Sequence, residues 1–263
     1  MLVEDIMSRD PLYVEDSAFL TNARQLIRDN HVRGLPVVNS RGHVIGVVTV
    51  QDMLRVTSTK SNVTISGFIA KTPLITEHMN MMDAARIMLS EKHNLLPVVQ
   101  SIENPVLRGV VSLLDVFRGL DMDGVPDLEI SEIMNKKVIS ASTEDNVTKI
   151  WDRMIESDFT GLPVLNDSGE PLGMITRFDI LKRGWARLGK EDTTKPPHTL
   201  GQKVDKLMST PLYSLRPEDK LKTAMEMMKK RDIGRISIVD DGGKLVGIVD
   251  RYDLIRSFLG ELR

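Results

Sequence analysis

The sequence Gly46-Val-Val-Thr49-Val-Gln-Asp52 is the first of four copies of one motif in this chain. Each copy has a glycine, two apolar residues, a small hydroxyl or acidic residue, two further positions and an aspartate. The other copies read Gly109-Val-Val-Ser112-Leu-Leu-Asp115, Gly173-Met-Ile-Thr176-Arg-Phe-Asp179 and Gly247-Ile-Val-Asp250-Arg-Tyr-Asp253. Because the sequence before each copy recurs as well, we interpret the chain as an array of four repeats.

An apolar segment precedes each motif at a nearly constant distance. Pro36 and Thr49 are 13 residues apart, and the third and fourth copies keep this spacing. The second copy has 15, and its two extra residues lie in the turn Ser101-Ile-Glu-Asn-Pro105. Asn166-Asp-Ser-Gly169 and Asp240-Asp-Gly-Gly243 are strong turn signals between two apolar runs. Each copy therefore predicts an antiparallel β-hairpin.

An amphipathic helix is predicted before each hairpin. In the first copy Asp16 and Ser17 are N-cap residue types, and apolar residues follow at helical spacing. The apolar positions of the four copies are Leu20, Ala23, Leu26 and Ile27; Met81, Ala84, Ile87 and Met88; Val147, Ile150, Trp151 and Met154; and Leu221, Ala224, Met227 and Met228. A turn and a short strand are predicted before this helix, and a second short helix after each motif aspartate.

We therefore expect an α+β fold of four strand–helix–hairpin–helix repeats. A unit of about 55 residues buries too little surface to be robust alone, so we expect the repeats to pair, sheet against sheet. The expected repeats are 1–58, 62–120, 127–184 and 201–260, in modules 1–122 and 123–263. The connector 184–203 is long for a linker inside a compact domain, and we expect partial helix over 185–188. No function is assigned to it.

Composition excludes several classes of protein. The chain has no cysteine, so disulfides and thiolate metal sites are ruled out, and this fits a reducing compartment. A net charge of −2 disfavours a nucleic-acid partner. No apolar run approaches the roughly 18 to 20 residues that span a membrane. The first residues lack the pattern of a secretion signal. We expect a cytoplasmic protein without a membrane partner.

Two interpretations of the motif remain open on its residues alone. A Thr or Ser that ends a strand, with an acidic residue three positions later, is a variant of the capping box that starts a helix. The same geometry suits a nucleotide, because a helix N-terminus and a hydroxyl can bind phosphate. An ionised carboxylate accepts hydrogen bonds from two ribose hydroxyls.

These motifs resemble those of the CBS-domain family, over nearly the whole chain and in four tandem copies. The markers are the opening Met-Ser-x-x-Pro-Leu, the Gly-Leu-Pro-Val-Val hairpin and the closing Gly-x-x-Thr-x-x-Asp. The layout is also similar to the gamma subunit of AMP-activated protein kinase. The resemblance implies two modules of paired repeats, each with two clefts for an adenosine-containing ligand such as AMP, ADP, ATP or S-adenosylmethionine.

The resemblance also implies site residues. The family's ribose-binding aspartate matches Asp52, Asp115, Asp179 and Asp253, and its phosphate-contacting hydroxyl matches Thr49, Ser112 and Thr176. Asp250 departs from the family pattern, which disfavours a phosphate in the fourth cleft. Arg33 and Arg235 match a basic position that reaches phosphates in the kinase subunit. Without the resemblance, each is interpreted as a solvated surface arginine. Copies two and three lack a basic residue there, so we expect unequal clefts. Arg177 and Arg251, which directly follow the hydroxyl position, point into a cleft or into solvent.

Catalysis is not expected. The five histidines are scattered without metal-ligand spacing, and no nucleophile motif or P-loop is present. We therefore expect no metal and no required cofactor. One hypothesis is a regulatory sensor in which an adenine nucleotide or S-adenosylmethionine changes how paired repeats sit and a regulated protein partner responds, with the chain forming a homodimer. The alternative is a structural or interaction module whose motifs only cap helices.

Overall fold

In each repeat, the last strand of a three-stranded sheet ends at the hydroxyl position of the motif. The computed structural model describes residues 1–50, 52, 63–157, 159–182 and 202–261. Within them a short strand pairs in parallel with the first hairpin strand, which pairs antiparallel with the second. The sheets are β1 (Val14–Glu15), β2 (Gly34–Val38) and β3 (Val44–Thr49); β4 (Ile75–Thr76), β5 (Leu95–Val99) and β6 (Leu107–Ser112); β7 (Ala141–Ser142), β8 (Gly161–Leu165) and β9 (Pro171–Thr176); and β10 (Ser214–Leu215), β11 (Arg235–Val239) and β12 (Leu245–Asp250).

The predicted hairpins are confirmed, with the same register in every repeat. The hydroxyl position of the motif always lies opposite the first residue of the hairpin. The pairs are Gly34 with Thr49, Leu95 with Ser112, Gly161 with Thr176, and Arg235 with Asp250. Two glycines, a leucine and an arginine therefore face equivalent motif positions.

A long helix lies between the short strand and the hairpin of each repeat, as predicted. These long helices are α1 (Leu20–Asn30), α2 (Met81–Ser90), α5 (Val147–Glu156) and α7 (Leu221–Arg231). The helices that begin within the motifs, here called the motif helices, are α3 (Leu113–Gly119), α6 (Arg177–Lys182) and α8 (Arg251–Phe258). The short helix α4 (Ile130–Ile133) opens the third repeat, and 3-10 turns at Val3–Asp5, Ile65–Phe68 and Val204–Lys206 open the other three. The expected helices after Asp52 and over 185–188 lie outside the described residues.

The predicted N-cap of the first long helix is wrong. Its N-cap is Phe19, which makes no side-chain capping bond, rather than Asp16 or Ser17. The backbone N–H of Asp16 instead donates to the carbonyl of Val38 at 3.0 Å, which extends the pairing of β1 with β2. Sheet pairing therefore holds the chain extended past the residues whose side chains would favour a helix start.

The opening segment of each repeat, meaning the residues before its short strand, crosses to another repeat. Each segment forms a reciprocal backbone bridge with the second hairpin strand of that repeat. The bridged pairs are Ser8 with Val110, Ala70 with Val47, Asn135 with Ile248, and Ser209 with Met174. Repeats one and two exchange segments in this way, and so do repeats three and four.

The chain divides into two compact units, Met1–Asp121 and Met122–Arg263. In the first unit the buried face of α1 packs against β2 and β3, and Ile65 from the opening segment of the second repeat completes this cluster. A second cluster joins the sheets of repeats one and two through Val38, Val44 and Val99. Apolar burial therefore spans both repeats of this unit, as the expected sheet-against-sheet pairing requires.

Candidate functional site

The first three motifs share one hydrogen-bond arrangement. In each, the hydroxyl and the backbone N–H of the same residue donate to Oδ2 of the motif aspartate. The hydroxyl–carboxylate distance is 2.6 Å in all three, from Thr49 to Asp52, from Ser112 to Asp115 and from Thr176 to Asp179. The hydroxyl oxygen accepts in return from the aspartate N–H at 3.2 to 3.3 Å. The predicted capping role is therefore present, and the hydroxyl proton is directed at the aspartate.

The second carboxylate oxygen of these aspartates has a different environment. The hydrogen bonds described for Asp52 and Asp115 both use Oδ2 and leave Oδ1 outside the cap. Oδ1 of Asp179 accepts from the hydroxyl of Ser209, in the opening segment of the fourth repeat, at 3.3 Å. The capping box thus fixes one oxygen of each aspartate, and in Asp179 the other oxygen contacts the paired repeat.

The fourth motif keeps the cap but lacks the hydroxyl. Asp250 accepts from the Asp253 N–H at 3.2 Å, and Asp253 accepts from the Asp250 N–H at 3.0 Å. A carboxylate cannot donate to its neighbour as Thr176 does. Burial, and secondly the negative charge of Asp250, raise the pKa of the Tyr252 phenol to about 12. With Asp250 in place of a hydroxyl residue, the fourth motif has one more carboxylate than each of the other three.

Glycine begins every motif because the opening segment of the paired repeat passes close to it. A Cβ at Gly46 would lie 2.4 Å from the carbonyl oxygen of Ala70, and one at Gly173 would lie 2.7 Å from that of Ser209. Real Cβ atoms do not approach oxygen so closely. The glycine brings the motif strand and the paired opening segment together, and the motif aspartate lies at the end of that strand.

A cleft of about 300 Å³ lies beside Asp115 in the first unit. Its lining comes from the motif helix α3 and from the opening segment of the first repeat, and consists of Met1, Asp5, Ile6, Asp115, Arg118 and Gly119. A larger groove of about 520 Å³ lies along the polar side of α5, and no motif residue lines it. The cleft beside Asp115 thus contains a predicted site residue.

Arg33 and Arg235 occupy different environments. Arg33 is exposed. The guanidinium of Arg235 is half-buried and donates to the hydroxyl of Thr160, which directly precedes β8 in the third repeat. A Cβ at Gly161 would lie 3.1 Å from both Arg235 Nη1 and the Thr176 methyl group. Arg235 therefore lies beside the motif of the paired repeat rather than extending away from the unit.

Arg177 and Arg251 point neither to a cleft nor to solvent, which corrects the prediction for both. They are 4% and 8% exposed. Arg177 donates to the carbonyl of Met154 in α5, and Arg251 to that of Ile233, just after α7, at 3.0 Å. Each joins the start of a motif helix to the end of the long helix of its own repeat. The equivalent residues, Val50 and Leu113, are apolar, and that difference was the signal that this position is buried.

Two further classes of site find no support in the described part of the chain. No group of three histidine, aspartate or glutamate side chains there could hold a metal ion. No helix there is long and apolar enough to cross a membrane.

Comparison with known proteins assigns the repeats. The family model for the CBS domain matches residues 3–58, 67–121, 130–185 and 204–260. The uncharacterised protein MJ1404 of Methanocaldococcus jannaschii is 26% identical over 99% of this chain, which spans 62% of that relative's length. The uncharacterised protein MJ1225 of the same organism is 27% identical over 68% of the chain and 69% of its own length.

Solved structures agree in fold. The crystal structure of MJ1225, described as a proposed archaeal homologue of the gamma subunit of AMP-activated kinase, has a TM-score of 0.82 at 22% identity, with 98% of this chain and 100% of that chain covered. An uncharacterised conserved protein from Pyrococcus horikoshii has a TM-score of 0.68 at 20% identity over the same shares. At these identities the likeness establishes the architecture alone.

Proposed function

The chain belongs to the CBS-domain family, and from that premise we propose that it is a non-catalytic regulatory protein. It binds adenosine-containing ligands in clefts between the paired repeats of each unit. The ligand class is AMP, ADP, ATP or S-adenosylmethionine. Binding changes the arrangement of the paired repeats, and a regulated protein partner responds, with a homodimer of this chain as the signalling form.

The observation that carries the proposal is that the capping box of the first three motifs uses one oxygen of the aspartate and leaves the other outside the cap. Oδ2 is held by the capping box, which orients the carboxylate without consuming it. Oδ1 of Asp179 contacts Ser209 in the opening segment of the paired repeat. Asp115 lines a cleft together with the opening segment of the first repeat. A carboxylate held in this way can accept hydrogen bonds from two neighbouring ribose hydroxyls.

In the proposed sites Asp52, Asp115, Asp179 and Asp253 bind ribose. Thr49, Ser112 and Thr176 contact a phosphate. To donate to it, each hydroxyl rotates so that its proton no longer points at the aspartate. The N–H bond to the same carboxylate oxygen remains, so the helix cap survives this rotation. Asp250 offers no such donor, so the fourth cleft binds a ligand without phosphate.

Arginines supply charge for phosphate in the proposed sites. Arg235 lies beside Thr160 and the motif of the third repeat, so it acts on a phosphate held there. Arg33 is exposed at the equivalent end of the first hairpin and reaches a phosphate in the first unit by turning inward. Loss of one charge-assisted contact costs roughly 1.5–3 kcal/mol, which is about ten- to a hundred-fold in affinity.

Ligand-induced thermal shift tests the proposal. We expect AMP, ATP or S-adenosylmethionine to raise the melting temperature of the full chain, and Asp179→Ala to reduce that response. The control is Asp219→Ala, because Asp219 likewise accepts a backbone N–H, from Arg216 at 2.7 Å, but lies in a turn outside the motifs. Asp219→Ala should lower the melting temperature yet leave the ligand response intact.

The capping boxes themselves favour a second candidate, a structural or interaction module. In that case none of the three compounds shifts the melting temperature, and Asp179→Ala and Asp219→Ala differ only in how far they destabilise the fold. Mass spectrometry of the purified protein for co-purified adenosine compounds provides an independent check.

A further inference from the structure

The hairpin turns of the first unit are joined to each other. The N–H of Val44, after the first turn, donates at 2.9 Å to the carbonyl of Pro105, in the longer turn of the second repeat. A backbone bridge between His43 and Val106 lies beside this bond. An apolar cluster between the two sheets closes the same end, and its buried residues are at most 5% exposed: Val38, Val44 and Val99. The first unit is therefore closed at its hairpin turns.

The hairpin turns of the second unit hold each other less tightly. The equivalent backbone bond, from the N–H of Leu245 to the carbonyl of Gly169, is 3.4 Å long, beyond the usual range of about 2.7–3.2 Å. Among the described residues no backbone bridge joins these two turns. The positions equivalent to the buried cluster of the first unit are only half-buried, and they are Leu165, Pro171 and Val239. Both the backbone contact and the apolar contact are therefore weaker at this end of the second unit.

Both hairpin turns of the second unit are acidic. The third repeat contributes two carboxylates and the fourth repeat two more beside one lysine: Asp167 and Glu170, then Asp240, Asp241 and Lys244. A Cβ at Gly243 would lie 4.0 Å from Oε1 of Glu170, so this carboxylate faces the opposite turn. Arg216 pairs with Asp241 and offsets one of the four negative charges. In the first unit one turn carries Arg41 and the other Glu103. Because like charges repel, electrostatics favour separation of the turns in the second unit and not in the first.

A buried hydroxyl lies between the paired sheets of the second unit. Ser237 is 0% exposed, and within the described part of the chain its Oγ has no hydrogen-bond partner. Because alternate residues of a strand share a face, Ser237 faces the third repeat together with Arg235, whose guanidinium contacts Thr160 there. The other three repeats have an apolar residue at this position: Pro36, Pro97 and Pro163. A buried hydroxyl without a partner is unfavourable, and separation of the sheets admits water to it.

We propose that the second unit is the moving part of this protein. Its two sheets separate and close at the hairpin turns, while the first unit stays closed. A segment with few buried apolar contacts and a weak backbone hydrogen bond opens at a low free-energy cost. The long bond from Leu245 to Gly169, the facing acidic turns and the hydroxyl of Ser237 all act in this direction. A ligand held between the repeats of this unit contacts both of them and favours the closed arrangement. Only this last step rests on the proposed function.

Amide hydrogen exchange of the full chain, followed by NMR, tests the motion without a ligand. Val44 and Leu245 are equivalent residues whose N–H groups make the two bonds between turns. We expect the protection factor of Leu245 to be lower than that of Val44 by about tenfold or more. Val110 and Ile248 are the control pair, because each donates to the paired opening segment at 3.1 Å. If Ile248 is less protected than Val110 by the same factor, the second unit is only less stable as a whole and the inference is wrong.

Two substitutions should favour the closed arrangement of the second unit. Glu170→Gln removes one charge from the facing turns, and the glutamine oxygen can still accept from the side chain of Asn166, as Glu170 does at 2.7 Å. Ser237→Ala removes the buried hydroxyl. Each change should raise the protection factor of Leu245 about threefold.

Each of these substitutions has a matched control. Glu103→Gln removes a charge from a turn of the first unit, so the protection factor of Leu245 should not change. Ser257 is also buried, but its hydroxyl donates to the carbonyl of Asp253 at 2.7 Å, so Ser257→Ala should not raise protection. If neither Glu170→Gln nor Ser237→Ala raises the protection of Leu245 above that of its control, the inference is overturned.

The response to a ligand is read from the same two amides. With AMP, ATP or S-adenosylmethionine at a concentration that raises the melting temperature, protection of Leu245 should rise about threefold or more, and that of Val44 should change less than about twofold. A thermal shift without a change at Leu245 would overturn the inference and keep the proposed function. If no compound shifts the melting temperature, the proposed function fails. The ligand-free comparison then decides the motion: a tenfold difference supports it, and equal protection of Leu245 and Val44 overturns it.

Discussion

At the scale of single residues, the glycine that begins each motif matters for contact between repeats. Cβ atoms at Gly46, Gly109 and Gly173 would lie 2.4, 2.9 and 2.7 Å from a backbone oxygen of the paired opening segment. At Gly247 the nearest atom is instead the Sδ of Met134, at 2.6 Å. A methionine side chain can turn away, whereas a hydrogen-bonded backbone cannot move without breaking its bridge.

Alanine substitutions at equivalent glycines should therefore differ in cost. We expect Gly173→Ala to lower the free energy of unfolding by about 1–3 kcal/mol, because Ser209 must move. Gly247→Ala should cost less than about 1 kcal/mol, since Met134 can repack. Urea unfolding of the two variants measures the difference, and equal costs would show that the bridges adjust freely.

The residue at the hydroxyl position of the motif should control local stability. Asp250→Thr supplies a donor to Asp253 and removes a negative charge, so we expect a gain of about 0.5–1.5 kcal/mol in the free energy of unfolding. The reverse change, Thr176→Asp, should lower it by a similar amount. Chemical denaturation at pH 7 measures the free energy of unfolding of both variants. A loss of stability in Asp250→Thr would contradict the stabilising role of a hydroxyl at this position.

Tyr252 should make stability fall at high pH. Its pKa is raised to about 12 in the folded chain, from about 10 in the unfolded chain. The contribution of the protonated Tyr252 phenol to the free energy of unfolding is complete below pH 10. It is lost as pH rises from 10 to 12, because the phenol loses its proton at lower pH in the unfolded chain than in the folded chain. After allowance for solvent screening the loss is about 1–2 kcal/mol.

The variant Tyr252→Phe isolates this effect. Between pH 8 and 11.5 its free energy of unfolding should decline less steeply than that of the original chain. Tyr13→Phe is the control, because Tyr13 is 52% exposed. Parallel pH profiles for all three proteins would contradict a role for Tyr252.

At the scale of elements, the long helices begin in two ways. Asn80 and Asn146 cap α2 and α5, each with its side-chain oxygen accepting the second helical N–H at 2.8 Å. Phe19 and Lys220 stand at the same position before α1 and α7 and make no side-chain cap. The helices of repeats one and four therefore depend more on their buried faces, which include Ala23 and Ala224 at 0% exposure.

Removing a cap should affect only the helices that have one. Asn146→Ala should lower the free energy of unfolding by about 1 kcal/mol, because the Thr148 N–H loses its acceptor. Lys220→Ala removes no cap, and its exposed ion pairs with Asp127 and Glu129 contribute little, so we expect a change within about 0.5 kcal/mol. Thermal and urea unfolding measure the stability of both variants. A larger loss of stability in Lys220→Ala than in Asn146→Ala would contradict the prediction.

At the scale of the whole molecule, exchange of opening segments joins the repeats of each unit in pairs. Ser8 bridges Val110 and Ala70 bridges Val47 within the first unit, while Asn135 bridges Ile248 and Ser209 bridges Met174 within the second. A single repeat would leave a strand edge unpaired and lose Ile65 or its equivalent from the core.

Fragments of the chain test this organisation. We expect residues 1–121 and 122–263, expressed separately, each to unfold cooperatively, because each retains its own bridges. Residues 1–58 alone should not fold cooperatively. Circular dichroism melting curves measure both, and a cooperative transition in the single repeat would contradict the dependence on pairing.

Local sequence predicted the elements well because their signals are local. Apolar spacing identified the long helices, the turns at Asn166 and Asp240 identified two hairpins, and the Thr-x-x-Asp pattern identified the capping box. The start of α1 was wrong because sheet pairing of Asp16 outweighed its preference for a helix cap. The burial of Arg177 and Arg251 was not predicted because an arginine by itself favours solvent, although the apolar residues at the equivalent positions, Val50 and Leu113, indicate a buried position.

The sequence by itself determined the fourfold repeat, the fold class and the positions of the motif aspartates, because all of these depend on patterns within about 55 residues of chain. Only the tertiary structure decided which repeat each opening segment joins, that Asp5 and Arg118 share a cleft with Asp115, and that Arg235 reaches the third repeat. The physical reason is that these contacts join distant parts of the chain, where packing rather than local propensity selects the neighbour.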